Sequence, residues 1–135
     1  MKNRSGFTLI ELLIAIGIIA ILAGAVVQAI NPGRIFRNAR NSERETHVQT
    51  IYSGFDNYHF QNDELPDCIG GIPEDASVCE DDLVPTYLSS LPQDSHAGDG
   101  LIGYEISKSS VAGEICVEAI HAEGEEEIFA GICED

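Results

Sequence analysis

The chain has 135 residues, about one domain's worth on the usual scale of roughly 100 to 200 residues per domain, which argues against a multidomain enzyme. Seven Lys and Arg against 23 Asp and Glu leave a net charge of −16, unevenly spread: residues 1–44 hold six basic and two acidic side chains, residues 45–135 one and 21. A C-terminal body that acidic repels phosphate backbones, so direct nucleic-acid binding is not expected, while membrane anchorage stays open.

From Phe7 to Ile30 the only polar side chains are Thr8, Glu11 and Gln28, and Leu12 to Val27 is an uninterrupted apolar run. At about 1.5 Å rise per residue, positions 7–30 make a helix of roughly 36 Å, longer than a hydrocarbon core of about 30 Å. Met1-Lys2-Asn3-Arg4-Ser5-Gly6 ahead of it is short and positive, as the start of an export signal is. An ordinary secretory signal, cut near Ala23-Gly24-Ala25, and a plain signal anchor both fit so far. Neither accounts for Glu11, because a carboxylate inside an apolar membrane helix costs about 2.5 to 3.5 kcal/mol on insertion scales.

Gly6-Phe7-Thr8-Leu9-Ile10-Glu11-Leu12-Leu13, followed by the apolar run to Ala23, resembles the class III signal of the type IV pilin-like proteins, which include type IV pilins and the pseudopilins of type II secretion and competence systems. The resemblance implies that residues 1–6 are a leader, that a membrane-embedded prepilin peptidase cuts between Gly6 and Phe7 and N-methylates Phe7, and that 7–30 stay as a transmembrane and assembly helix. It also implies that Glu11 meets the new amino terminus of a neighbouring subunit. A lone carboxylate in lipid is costly, whereas one facing an ammonium in low dielectric is strongly attracted when the geometry is good. The bland alternative is that Glu11 snorkels toward the headgroups from near the helix end.

Ala20 and Gly24 form a small-xxx-small pair for close helix packing. Asn31-Pro32-Gly33 then predicts a kink or break, because proline lacks the amide donor and disfavours helix at the residue before it. Val48, Ile51, Tyr52, Phe55 and Tyr58 recur at helical spacing and predict an amphipathic continuation over 33–62, stopped by Leu65-Pro66. Arg34, Arg37, Arg40 and Arg44 lie along one side of that helix. Either they form a solvated face near the headgroups with Glu43 and Glu45 as partners, or they face the acidic heads of neighbouring subunits. Two basic residues before the span and four after it run against the positive-inside expectation, which the export signal must override.

Residues 63–135 form a head of a size at which one core supplies little stability and covalent staples are common. It holds Cys68, Cys79, Cys116 and Cys133, an even number with no C-x-x-C, which in an exported context favours disulfides. Glu114–Ala122 and Glu127–Cys133 alternate as two strands around a turn at 123–126. Setting Cys116 opposite Cys133 places Val117 against Ile132 and Ala119 against Ala130, and leaves Cys68 with Cys79. A further strand is expected at Leu101–Ser107, with a turn at Ser109–Gly113 and a mostly irregular connector over 65–100. The fold class is therefore α+β: a long N-terminal helix on a small antiparallel sheet of three or so strands.

Tyr87 to Asp94 resembles the approach to the sheet in major pseudopilins and some pilins, where a nearby loop can hold calcium. Asp94 and Asp99 are the weak metal candidates here, with solvated loop carboxylates favoured because no ligand series is present. The histidines His47, His59, His96 and His121 lack metal-ligand spacing, and no nucleophile motif or phosphate-binding glycine loop occurs, so no catalytic residue, cofactor or enzymatic activity is expected. Glu123–Glu127 reads as a solvated hairpin tip.

The expected protein is a structural subunit, pilin or pseudopilin. It would be held in the cytoplasmic membrane with its head outside, handled by the prepilin peptidase and a pilus or secretion assembly machinery, and polymerised into a surface or periplasmic filament. The alternative from another class is a monomeric, membrane-anchored binding domain.

Overall fold

The computed structural model describes residues 6–70, 72–110 and 114–133. Residues 1–5 of the expected leader, Gly71 of the Cys68–Cys79 loop and 111–113 of the expected turn lie outside them. The chain divides between Phe36 and Arg37 into two units.

The first unit holds helix α1, Leu9–Ala29. Thr8 caps it, its hydroxyl oxygen accepting the Glu11 N–H at 3.2 Å while its carbonyl accepts Leu12 N–H. Thr8 and Glu11 thus stand in the Ser/Thr-x-x-Glu relation of a capping box, which starts the helix sharply and favours an acid in its first turn. The helix ends at Ile30, whose backbone turns extended. Helix α2, Pro32–Asn62, then begins afresh, with proline at its first position and the Asn31 side chain accepting Arg34 N–H at 3.2 Å. The expected break is this change of helix.

In the second unit α2 lies against a four-stranded antiparallel meander with strands in sequence order: β1 Glu74–Asp75, β2 Tyr104–Lys108, β3 Ile115–Ala119 and β4 Phe129–Gly131. The sheet is therefore one short strand larger than expected. The connector over 65–100 is less irregular too, carrying β1, a 3-10 turn at Ala76–Cys79 and the single-turn helix α3, Glu80–Leu83. Asp75 organises this region. Its carboxylate accepts backbone N–H groups from Ser77, Ile102 and Gly103 at 2.9 to 3.2 Å, tying the 3-10 turn to the entry of β2. Burial alone would raise its pKa, yet the Ser77 side-chain hydrogen bond and these N–H donors outweigh it and hold the group below the usual carboxylate range.

Val48, Ile51 and Phe55 of α2 are fully buried and share one core with Tyr104, Ile106, Val117 and Ala130 from the sheet. Each such side chain contributes about 1.5 to 3 kcal/mol relative to exposure, which is what holds helix and sheet together. Gly54, one position before Phe55, lets the chain at Leu88 come close: a Cβ there would lie 2.8 Å from Leu88 Cγ.

The cysteines pair as expected, Cys68 with Cys79 (Cα–Cα 5.3 Å) and Cys116 with Cys133 (4.8 Å). The strand register that suggested the second pair is different, however. Cys116 stands opposite Gly131, Val117 opposite Ala130 and Glu118 opposite Phe129, two residues away from the expected alignment. A slip of two keeps every side chain on its face, so the apolar alternation could not detect it. Gly131 has φ +89°, ends the strand and turns the chain back, Ile132 N–H bonding to the Ile115 carbonyl at 3.0 Å. Cys133 thereby reaches Cys116 from beyond the ladder. At the same end of β3, Ser109 N–H donates to the Glu114 carbonyl, 3.1 Å, and closes the β2–β3 connection.

Candidate functional site

Gly6 and Phe7 lie in the non-helical stretch ahead of α1 and are exposed, Phe7 83 % so. The backbone N–H of Glu11 is taken by Thr8, while its carboxylate is exposed and forms no ion pair with the described residues. Over Leu9–Val27 mean hydropathy is 2.8 and none of the stretch is buried within the chain. Leucine and isoleucine therefore face outward on every side, which is stable only in lipid or among other apolar helices. Gly17 and Gly24 have open space where a Cβ would be, so a second helix backbone can approach there.

The head carries a second polar constellation, on the face of α2 that the core stripe uses. Counting back from Val48 at helical spacing lands on Arg44 and Asn41, and both are buried. Arg44 Nε donates to Asp94 Oδ2 at 2.5 Å and Nη2 to Oδ1 at 3.3 Å, with both side chains at least 97 % buried. Its Nη1 reaches Asn41 Oδ1 at 3.0 Å and Glu123 Oε1 at 3.4 Å. Arg40 forks onto Glu123 at 2.5 and 2.7 Å. Asn41 donates to the Glu123 carbonyl at 2.9 Å and to Glu126 at 2.6 Å, and accepts the Glu123 N–H at 3.1 Å. One turn and a half of helix thus clamps two loops, the one before β2 through Asp94 and the one between β3 and β4 through Glu123.

Three expectations change accordingly. The arginine stripe is split, since Arg40 and Arg44 are engaged within the head, whereas Arg34 and Arg37 form no ion pair with the described residues. The acidic tract is not a purely solvated tip, because Glu123 and Glu126 are tied to α2. The weak metal candidates are not brought together as ligands either. Asp94 is committed to Arg44 and to the His96 N–H at 2.8 Å, while Asp99 lies exposed in the next turn. Among the described residues no group of three or more His, Cys, Asp and Glu is placed to hold a metal. Of the histidines, His47 meets the buried Tyr104 hydroxyl at 2.6 Å, a core contact. Burial and the Asp94 charge push that phenol above its ordinary range.

The Arg40 hydrogen bonds hold Glu123 down at about 2. Burial favours the neutral form of Asp94, but the hydrogen bond from Arg44 and the His96 N–H win and lower it. Both groups are more acidic folded than unfolded, so their stabilisation is complete above the unfolded carboxylate range and is lost as pH falls through the folded values. Thermal unfolding of the full chain in detergent, compared with a Glu123→Gln variant, checks this. The gap between the two is expected to be constant above about pH 5, to shrink below about pH 4.5 and to close near about pH 2. A gap independent of pH would show that the Glu123 charge contributes nothing.

Residues 1–27 match the family model described as the prokaryotic N-terminal methylation motif. Comparison with curated proteins and with solved structures returns no match. Pilin-like chains that carry this motif are structural subunits rather than enzymes. The apolar helix that the motif takes in fits a membrane-anchored pilin-like chain. With that helix, an antiparallel sheet and two disulfides, the motif gives this chain the signature of a type IV pilin-like prepilin.

Proposed function

We propose that the chain is a structural subunit, cleaved between Gly6 and Phe7 by a prepilin peptidase, N-methylated at Phe7, and polymerised through α1 into an extracytoplasmic filament. Before assembly α1 spans the cytoplasmic membrane with the head outside. The observation that carries this reading is Glu11, an acid without an ion pair among the described residues, set in the first turn of a wholly exposed apolar helix within the residues that match the methylation motif. Cleavage makes Phe7 an ammonium, and a neighbouring copy's ammonium offsets the cost of about 2.5 to 3.5 kcal/mol for holding the carboxylate in lipid. Subunits gain that energy only in a register that brings Glu11 to the next terminus.

Mass spectrometry of the exported chain is expected to find methylated Phe7 as its first residue. An intact Met1, or a start after Ala25, would contradict the proposal. A Glu11→Ala chain should be processed normally yet yield at least about tenfold less sheared filament, because the lost driving force exceeds the roughly 1.4 kcal/mol that corresponds to a factor of ten. Native filament yield from that variant would remove Glu11 from the assembly step.

A further inference from the structure

We infer that the groove between α2 and the β3–β4 connection is the docking site for the Arg34–Arg37 segment of a second copy of this chain. The inference rests on the filament reading and names the surfaces that meet. The groove measures about 460 Å³ and is walled by Asn38, Ser42 and Glu45 on the helix and by Glu126, Glu127 and Phe129 on the loop and the start of β4. Its polar and apolar parts are both unfilled. Glu45, Glu126 and Glu127 form no ion pair with the described residues, and the Phe129 ring is 49 % exposed. The engagement of Glu126 is a hydrogen bond from the neutral Asn41 amide, which leaves its charge uncompensated.

The occupant is identified by complementarity in charge. The head is strongly acidic, and of the arginines on α2 only Arg34 and Arg37 form no ion pair with the described residues. At a spacing of three they sit on neighbouring positions of one helix side, with Cβ atoms about 5 to 6 Å apart, so a single approach presents both. Joining these surfaces brings two cations to three carboxylates and offsets head–head repulsion where acidic copies crowd.

Charge reversal in the full-length chain, expressed with its peptidase and assembly machinery, tests the inference. Arg34→Glu with Arg37→Glu, and separately Glu45→Lys with Glu127→Arg, are each expected to lower sheared filament by at least about tenfold, since like charges would then face each other across a partly desolvated interface. Methylation of Phe7 and near-ultraviolet circular dichroism of the solubilised chain should be unchanged. Combining all four substitutions should restore filament to within about threefold of the unaltered chain, because complementarity returns with its sign inverted. Normal filament after arginine reversal, or no recovery in the combined variant, overturns the groove assignment and leaves the filament reading standing. Loss on groove reversal alone assigns the groove another occupant and likewise overturns it. No filament from the unaltered, correctly methylated chain overturns the filament reading and this inference with it.

Discussion

An Arg44→Ala substitution is expected to destabilise the head by about 3 to 5 kcal/mol, the cost of leaving one member of a buried pair unpaired. Asp94 would keep the His96 N–H but lose both guanidinium hydrogen bonds in a site where its side chain is almost fully enclosed. Glu123 and Asn41 would each lose a bond at the same time, so the loops before β2 and before β4 loosen together. For a head of this size a loss of that order lowers Tm by at least about 12 °C. Arg40→Ala is the informative comparison. It removes a shorter, two-pronged contact with the same Glu123, but Arg40 and Glu123 keep 35 % and 25 % of their side-chain surface, and such pairs are worth about 0 to 1 kcal/mol. Thermal unfolding of the full chain in detergent, followed by near-ultraviolet circular dichroism, separates the two. Equal losses would mean that burial does not set the strength of the clamp.

A second large effect is expected from Gly131→Ala, at more than about 3 kcal/mol. The residue has φ +89°, which costs a non-glycine residue about 1 to 3 kcal/mol, and a Cβ there would collide with the Ile115 carbonyl and come within 2.8 Å of Tyr52 Cε2. The carbonyl belongs to the neighbouring strand and accepts the Ile132 N–H, so relief requires moving the end of the sheet. Because the same turn returns Cys133 to Cys116, the variant should also show free thiol at that pair when titrated under denaturing conditions. Gly124→Ala provides the control. Its φ is +93° but nothing lies within 4 Å of a Cβ, so only the backbone term of about 1 to 3 kcal/mol applies. A Gly131 variant no less stable than the Gly124 variant would show that the close approach to Ile115 is dispensable.

Much of the architecture was legible in the chain because its signals are local. The methylation motif is one contiguous segment that includes the apolar run, and helix length and hydropathy depend only on neighbours in sequence. Pro32 breaks the helix through its own ring and missing amide. Val48, Ile51 and Phe55 announce the buried stripe by period alone, and two alternating segments with one cysteine each were enough to pair Cys116 with Cys133. The same period, followed one and two turns further upstream, lands on Arg44 and Asn41. Their place in the core was therefore within reach, although their charge and polarity suggested a solvated face.

What those residues bind was decided by the tertiary structure. Arg44 meets Asp94 across 50 positions and Arg40 meets Glu123 across 83, distances at which no periodicity relates one residue to another. Among 23 acids of similar local context, only the return of two loops onto α2 singles out these partners. The strand register was settled in the same way. A two-residue slip leaves the alternation unchanged, and the choice between alignments rests on a left-handed glycine fitting against the Ile115 carbonyl. Sequence patterns determine which face of an element is buried, because burial repeats with the backbone period; which groups meet on that face is decided only when distant segments are packed together.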